Sequence, residues 1–313
     1  MSANRYAFFK GKIVPVEQAK VSIMTHAFNY GTGCFEGIRA YWNREEEELL
    51  VFRLQEHYQR LINSARLLLI NLPYSVDTLC ELTLELLRKE GYREDAYLRP
   101  LAYKSEEIIG VKLHDLSGDF AVFAVPFGKY IEKPQGCKAG VSSWRRIDDN
   151  SIPARGKITG GYVNSAFAKT EAMQNGFDEA IVLNQDGHIS EGSAENLMMV
   201  RGGELITTPV YANILEGITR STLKRIAKEY LNMEVVERQI DRTELYLADE
   251  IFFCGTGVEV VPVVSVDHRP VGSGKVGPVG QRVRDLYFRI VRGQEPAYRH
   301  WCSPVYQKAA QTV

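Results

Sequence analysis

The sequence has few of the residues that build metal centres and disulfide frameworks. Its 313 residues include five cysteines and six histidines. The cysteines are odd in number and scattered, without a Cys-x-x-Cys pair, and the histidines lack metal-ligand spacing. We therefore expect no structural metal and no disulfides, only reduced and mostly buried thiols.

The chain also lacks a surplus of either charge and any long apolar run. Lys and Arg number 38 against 39 for Asp and Glu, and the formal net charge is -1. Without a broad basic surface, neither nucleic acid nor an anionic membrane is expected as the main partner. No stretch is long enough to span a bilayer, and the apolar run at the start is too short for a signal peptide. We expect a cytoplasmic protein.

The remaining composition is that of a globular protein with material for two domains. Apolar residues make up 45% of the chain and charged residues 25%, and a domain takes roughly 150 residues. Residues 129–136 mix charge with Pro and Gly, which is typical of a linker. We predict a small domain over 1–124, a linker over 125–136 and a larger domain over 137–313.

A single lysine stands in a glycine-rich loop near the middle of the chain. Lys157 lies in S-I-P-A-R-G-K-I-T-G-G-Y-V-N-S, residues 151–165. Gly156, Gly160 and Gly161 permit backbone angles closed to other residues and a close approach to a ligand. The residues after the loop have helical spacing, so the lysine precedes a helix. A partly desolvated amine here could form a Schiff base, although most lysines in such loops are solvated charges.

Two arginines lie in regular elements. Arg60 belongs to a predicted helix over 55–69, where a surface position is the simpler interpretation. Arg99 lies on an aromatic-rich predicted strand over 96–103. A partly buried guanidinium needs an anion, which is either a carboxylate of the protein or one of a substrate.

Two carboxylates and a helix start mark the second half of the sequence. Glu191 and Glu195 have strand spacing within 188–200, the middle of a predicted antiparallel meander over 179–208. They could form an acid/base pair or an exposed sheet edge. Residues 215–220, L-E-G-I-T-R, begin a helix whose first N–H groups could bind an anion. The Gly-rich aromatic run over 25–42 is a bent strand or a pocket wall.

The order of these motifs resembles the class IV, or fold type IV, aminotransferases, and within them the branched-chain amino acid aminotransferases. That resemblance implies an α/β (α+β) fold with a small N-terminal domain and a larger C-terminal pseudo-barrel domain. It spans nearly the whole chain and rests on K-G-K (10–12), H-A-F-N-Y-G-T-G-C-F-E-G-I-R (26–39), A-Y-L-R-P-L (96–101), the lysine loop, G-x-I-S-E-G-S-A-E-N (187–196), L-x-G-I-T-R (215–220), L-Y-L-A-D-E-I-F (245–252) and G-T-G (255–257).

The resemblance implies pyridoxal 5′-phosphate as cofactor. Lys157 would form the Schiff base and move a proton between the substrate α-carbon and the cofactor. Glu191 would pair with the pyridine nitrogen and Tyr162 would lie near the phenolic oxygen. The remaining implied contacts are Arg60, the N–H groups of Ile218 and Thr219 and the hydroxyl of Thr256 on the phosphate, Leu215 on the ring, and Asn196 with Glu195 in support.

The resemblance also implies the substrates and an assembly. Leucine, isoleucine and valine would pass their amino group to 2-oxoglutarate in a ping-pong reaction. Arg99 would bind the distal carboxylate of glutamate. The other implied substrate contacts are Phe35, Gly37 and Tyr130 with Tyr30 from a partner subunit as the apolar wall, and Tyr97 with the N–H groups of Thr256 and Gly257 on the α-carboxylate. Because the pocket borrows from a neighbour, at least a homodimer is expected.

Two departures from the family pattern leave substrate choice open. Residues 103–111 lack the glycine-rich loop of many relatives, and Gly257 stands where alanine is frequent. The alternatives are a D-amino acid or (R)-amine transaminase, the lyase of this fold that makes 4-aminobenzoate from aminodeoxychorismate, and a binding protein without catalysis. Arg99 within A-Y-L-R-P favours the branched-chain enzyme.

Overall fold

The structure is a computed structural model that describes residues 5–128 and 135–306. These residues form two compact units. Within the described ranges, the first unit comprises 5–128, 156–160 and 289–306, and the second comprises 135–155 and 161–288. No helix in these ranges combines the length and the apolar character needed to cross a membrane.

The strands are short and lie in both units. In chain order they are β1 Tyr6–Phe9, β2 Lys12–Pro15, β3 Gly33–Phe35, β4 Ile38–Asn43, β5 Glu48–Phe52, β6 Ala96–Lys104, β7 Gly118–Pro126, β8 Cys137–Arg145, β9 Glu179–Leu183, β10 Ile189–Gly192, β11 Asn196–Arg201, β12 Glu204–Thr207, β13 Val235–Glu237, β14 Glu250–Gly255, β15 Glu259–Val266, β16 Arg269–Pro270 and β17 Cys302–Pro304.

The helices follow the predicted periodicity closely. They are α1 His26–Tyr30, α2 Leu54–Leu67, α3 Val76–Glu90, α4 Tyr162–Gln174, α5 Ile218–Leu231 and α6 Pro278–Val291. Ser75 caps the start of α3, since its side chain accepts a hydrogen bond from the Thr78 N–H at 3.1 Å. Gly91 ends the same helix with φ 68°, a left-handed conformation that glycine adopts without strain.

The sheet of the first unit has the strand order β17-β5-β4-β6-β7-β1-β2, with β3 also paired to β6. In β6 the burial alternates strictly, so Ala96, Leu98 and Ala102 face the core. Because side chains alternate along a strand, Tyr97 and Arg99 share the opposite face. The predicted strand is thereby confirmed, together with the common side of these two residues.

The sheet of the second unit has the order β10-β9-β8-β15-β14-β11-β12-β13, with β16 paired to β15. Parallel pairing joins β8 to both β9 and β15. The core on this sheet includes Leu197, Ile206, Ile251 and Phe253, none more than 1% exposed. The core therefore draws on strands that are distant in the chain, and it holds β10 and β11 in different parts of one sheet.

The predicted meander over 179–208 is wrong in its middle. β10 pairs with β9, whereas β11 pairs with β12 and β14. Between them, the Gly192 N–H donates to the Glu195 carbonyl at 2.7 Å and closes a turn. The Glu195 side chain accepts from the Ala194 N–H at 3.0 Å. Glu191 and Glu195 therefore do not share one face of a continuous strand, and both are buried rather than at an exposed edge.

Two segments hold more structure than their sequence pattern predicts. Residues 25–42 contain the helix α1 as well as β3 and β4. The tail, predicted to have little structure, adds β17 to the sheet edge along β5. Elements of three to five residues are too short to produce a recognisable period, so only their pairing reveals them.

Candidate active site

The lysine loop is attached to β3 within the first unit. The Lys157 carbonyl accepts a hydrogen bond from the Phe35 N–H at 3.0 Å, and the Lys157 N–H donates to Ser64 Oγ at 3.1 Å. One residue later, Ile158 forms a bridge with Cys34. These backbone bonds define the position of the lysine, and α4 begins five residues after it, as predicted.

The glycines of this loop serve close packing rather than unusual backbone angles. Gly156, Gly160 and Gly161 all have ordinary φ values, contrary to the expectation. The left-handed residue is Gly31, with φ 66°, and a Cβ on it would lie 2.8 Å from the Gly160 Cα. Thr159 Oγ1 donates to the Gly33 carbonyl at 2.6 Å. Glycine is thus required where the loop passes the end of α1.

Phe35 brings the lysine and a predicted substrate residue together. Lys157 Nζ lies 5.0 Å from the centre of the Phe35 ring, and Arg99 Cζ lies 4.5 Å from the same centre. Arg99 Nη2 also donates to the Tyr97 hydroxyl at 3.0 Å. A Cβ on Gly37 would clash with that hydroxyl. The structure therefore brings five of the predicted residues together: Lys157 and Arg99 contact the Phe35 ring, and Tyr97 connects Arg99 with Gly37.

Arg99 retains an unsatisfied donor. Its Nε is buried and has no hydrogen-bond partner among the described residues. A buried polar group without a partner costs about 1–3 kcal/mol, so such groups are uncommon and call for an explanation. A guanidinium in this state suits an anionic ligand, which was one of the two predicted interpretations of Arg99.

Arg60 lies in a buried charge cluster that sequence reasoning missed. Its Nε and Nη2 donate to the two carboxylate oxygens of Glu36 at 2.7 and 2.9 Å, and His57 Nδ1 lies 2.7 Å from Glu36 Oε2. Glu36 is fully buried. Burial alone would raise the pKa of Glu36, but the charge of Arg60 and the hydrogen bond with His57 lower it to about 2. The signal in the sequence that could have revealed this cluster was a glutamate between the apolar Phe35 and Gly37.

The predicted partner-subunit residue, Tyr30, contacts the segment around Gly110. The Tyr30 hydroxyl accepts from the Gly110 N–H at 3.2 Å, and its ring centre lies 4.7 Å from that of His26. His26 Nε2 is 2.9 Å from the Gly110 carbonyl. Tyr30 is thereby tied to the segment that departs from the family pattern. Tyr130 lies outside the described residues.

In the second unit, Glu191 is a buried carboxylate with three donors. Its Oε1 lies 2.9 Å from Arg146 Nη2, and its Oε2 accepts from Asn196 Nδ2 at 2.9 Å and from the Leu215 N–H at 3.3 Å. These bonds favour the ionised carboxylate. Arg146 is a second residue that sequence reasoning missed; its only signal was its place just after the predicted strand, in W-R-R.

Asn196 also connects Glu191 with the start of α5. Its Nδ2 donates to the Leu215 carbonyl at 2.9 Å, and a Cβ on Gly217 would clash with its Oδ1. Gly217 is the N-cap of α5 and supplies no side-chain cap. Ile218 and Thr219, the first residues of the helix, are buried. Such a helix start offers backbone N–H groups and a positive dipole end to an anion.

Glu195, predicted to support the site, lies in a different cluster. Burial and then the charge of Glu179 raise the pKa of Glu195 to about 8. Glu179 in turn contacts Lys169 Nζ at 2.5 Å and Ser193 Oγ at 2.6 Å. Glu195 is therefore one of two neighbouring buried carboxylates.

The remaining predicted residues occupy the ends of elements. Tyr162 is the half-buried first residue of α4, and Thr256 and Gly257 form the turn after β14. Among residues 5–128 and 135–306, no three His, Cys, Asp or Glu side chains are grouped so that they could hold a metal ion.

Comparison with known proteins gives matches over almost the whole chain. The family model for amino-transferase class IV matches residues 33–266. A probable branched-chain-amino-acid aminotransferase of Aquifex aeolicus (strain VF5) is 51% identical over 303 residues, 97% of each chain.

Solved structures also match almost the whole chain. The branched-chain amino acid aminotransferase of Thermobaculum terrenum in its PLP form has a TM-score of 0.93 at 38% identity, covering 98% of this chain and 100% of the other. The branched-chain aminotransferase of the thermophilic archaeon Thermoproteus uzoniensis, solved with norvaline, has a TM-score of 0.92 at 44% identity, covering 96% and 99%. The predicted fold class, with mixed helices and sheets, is confirmed.

Proposed function

The chain belongs to the class IV aminotransferase family, and we propose that it transaminates leucine, isoleucine and valine with 2-oxoglutarate, using pyridoxal 5′-phosphate. The names of its relatives, the PLP form of one and the norvaline complex of another support this reaction over the D-amino acid, (R)-amine and lyase alternatives. The single observation that carries the proposal is the Phe35 ring, shared by the amine of Lys157 and the guanidinium of Arg99.

The donor groups of this chain fit the cofactor. A protonated ring nitrogen requires a carboxylate, and Glu191 is buried and already held by three donors. A phosphate requires N–H groups and positive charge, and the uncapped start of α5 supplies both. We propose that Arg60 and the Thr256 hydroxyl complete the phosphate contacts, and that Leu215 packs on the ring.

When bound, pyridoxal phosphate supplies the electron sink that stabilises negative charge at the substrate α-carbon. The protein supplies position, charge and a base. We propose that Lys157 first holds the cofactor and, once displaced, moves the proton at the substrate α-carbon. Glu191 keeps the ring nitrogen protonated, and Tyr162 orients the phenolic oxygen.

The substrate pocket has to accept an aliphatic side chain in one half-reaction and a carboxylate in the other. We propose that Phe35 and Gly37, with Tyr30 from a partner subunit, face the aliphatic chain. Arg99 binds the distal carboxylate of glutamate through the donor that is now unsatisfied. Tyr97 and the N–H groups of Thr256 and Gly257 bind the α-carboxylate.

The test is the absorption spectrum of the protein supplied with pyridoxal phosphate, before and after L-leucine, L-glutamate, D-alanine and (R)-1-phenylethylamine. We expect the spectrum of lysine-bound cofactor, converted to that of pyridoxamine phosphate by L-leucine and L-glutamate only. Lys157→Ala should abolish the lysine-bound spectrum, and Lys112→Ala is the matched control. Conversion only by D-alanine or only by the amine would instead indicate a D-amino acid or an (R)-amine transaminase.

We further propose a homodimer. Large apolar side chains of the first unit are exposed along α1 and the neighbouring segment, among them Phe28 at 69% and Ile109 at 70%. Thr25 forms a bridge with Glu107, so the two segments adjoin. Sedimentation should give a dimer that Phe28→Asp weakens, whereas Tyr211→Asp, exposed on the second unit, leaves it intact. A monomeric parent chain would contradict this assembly.

Domain roles and location complete the proposal. We propose that the first unit acts as the small domain and the second as the larger domain. The first unit also includes 156–160, with Lys157, and 289–306, which the sequence analysis assigned to the larger domain. A cytoplasmic location agrees with the five cysteines, all of which are free and buried.

A further inference from the structure

Arg146 connects the buried carboxylate of Glu191 to the backbone of a neighbouring loop. It follows β8, and its N–H donates to the Leu183 carbonyl at 2.8 Å. Its Nη2 lies 2.9 Å from Glu191 Oε1, and its Nε donates to the Asn213 carbonyl at 3.0 Å. The arginine side chain is 16% exposed and the glutamate side chain 5%. The guanidinium is therefore anchored through Nε while Nη2 contacts the carboxylate.

Asn213 is itself held firmly. Its φ of 55° lies in the left-handed region, which asparagine tolerates better than most residues. Its Nδ2 donates to Asp148 Oδ1 at 3.0 Å and to Asn184 Oδ1 at 3.1 Å, and its Oδ1 accepts from the Asp149 N–H at 3.2 Å. These bonds fix the direction of the carbonyl that receives Arg146.

We propose that Arg146 is a positioning residue that keeps Glu191 ionised and aimed at the cofactor's ring nitrogen, with Asn213 fixing the guanidinium. The inference rests on the proposed function, because it presupposes the role of Glu191. A buried carboxylate that loses the cationic donor and keeps the amide donors more readily takes up a proton. A neutral carboxyl group no longer stabilises positive charge on the ring. Lysine would keep the positive charge but not the planar guanidinium, since it offers a point charge instead of two directed donors.

The experiment measures the dissociation constant of pyridoxal phosphate by titrating the apo protein, without turnover. Arg146→Met should weaken binding by roughly tenfold to a hundredfold, the range seen when a supporting group behind a ligand residue is removed. Arg146→Lys should recover part of the affinity. The matched control is Arg145→Met, whose side chain lies on the exposed neighbouring position and should change the constant less than about twofold.

A double-mutant cycle separates positioning from a general structural role. In a Glu191→Gln background, Arg146→Met should change the dissociation constant less than about threefold, because the partner is already gone. Asn213→Gly, which retains the left-handed backbone and the carbonyl, should weaken binding by only a few-fold. This milder variant keeps the test decisive if Arg146→Met does not fold.

Three results would overturn the proposal. The first is that Arg146→Met weakens pyridoxal phosphate binding equally in the parent and in the Glu191→Gln variant. The second is that Arg145→Met weakens binding as much as Arg146→Met. The third is that Glu191→Gln binds the cofactor with full affinity. The last result would reject the role of Glu191 while leaving the transaminase intact. Failure of the unmodified chain to bind pyridoxal phosphate would instead reject the proposed function itself.

Discussion

The two units each bury an arginine–glutamate pair, with the roles of the two residues exchanged. In the first unit Glu36 is fully buried, and Arg60 carries the proposed contact with phosphate. In the second unit Glu191 carries the proposed contact with the ring nitrogen, and Arg146 supports it from behind. Both pairs are within hydrogen-bond distance.

The comparison of the two pairs shows how a buried side chain that contacts a ligand can stay charged and oriented. Removing an isolated ion from water costs several kcal/mol, and a counterion at hydrogen-bond distance offsets much of this. The counterion also restricts the orientation of its partner. An arginine that meets an anion is therefore backed by a carboxylate, and a carboxylate that meets a cation is backed by an arginine.

The largest effect should come from breaking the pair of the first unit. Glu36→Gln leaves Arg60 and His57 against a neutral amide, and we expect the free energy of unfolding to fall by about 3–5 kcal/mol. Because the folded pKa of about 2 lies below the ordinary 4.5, the stabilisation by Glu36 is present above pH 4.5 and lost as the pH falls toward 2. Urea titrations at neutral pH and at about pH 3 would measure both effects.

The control for this prediction is the exposed pair of Glu56 with Arg53, in which Glu56 is 42% exposed. Glu56→Gln should cost less than about 1 kcal/mol. Equal losses in the two variants would mean that burial of Glu36 does not strengthen its pairing.

A third buried carboxylate, Glu195, sharpens the comparison. The folded pKa of Glu195 is raised to about 8, from an ordinary 4.5, by burial and by Glu179. Its stabilising effect is therefore full below pH 4.5 and is lost as the pH rises to 8. Relative to Glu195→Gln, the parent should lose on the order of 3 kcal/mol between about pH 5 and pH 8. Parallel curves of unfolding free energy against pH for the parent and Glu195→Gln would contradict this prediction. The control, Glu229→Gln at an exposed position, should show the pH dependence of the parent.

An arginine with an unsatisfied donor gives the next effect. Arg99→Met should raise KM for 2-oxoglutarate by roughly tenfold to a hundredfold, as expected for the loss of a hydrogen bond to a charged group. Turnover of L-leucine in its half-reaction should change less than about threefold. Single-turnover measurements with L-leucine on the pyridoxal form and with 2-oxoglutarate on the pyridoxamine form would separate the two effects, with the exposed Arg66→Met as control. Equal losses with both substrates would make Arg99 a structural residue.

The smallest effects should distinguish two glycines of the proposed substrate pocket. A Cβ on Gly37 clashes with the Tyr97 hydroxyl, whereas a Cβ on Gly257 meets nothing within 4 Å. We expect Gly37→Ala to lower the free energy of unfolding by about 1–2 kcal/mol and to raise KM for leucine. Gly257→Ala should stay within about 0.5 kcal/mol of the parent. Thermal unfolding and initial rates would measure both effects, and a larger loss in Gly257→Ala than in Gly37→Ala would contradict the prediction.

Local patterns predicted much of the fold. Apolar spacing located α2, and the helix expected after the lysine loop is present as α4. The meander prediction failed because the turn over 192–195 lies between apolar residues of β10 and β11, so the whole segment resembles one strand. Strand order depends on which segments bury their faces together, and that information is spread over the whole chain.

The sequence by itself determined the family and the inventory of chemical groups, since the order and spacing of Lys157, Glu191 and the G-I-T-R helix start are local properties. Only the tertiary structure decided which charges pair. Glu36 reaches Arg60 because β3 and α2 pack together within one unit. Arg146 reaches Glu191 because β9 pairs with β8, which Arg146 follows, and also with β10, which carries Glu191. Pairing energies fall steeply with distance, so they depend on register and packing, which no single segment encodes.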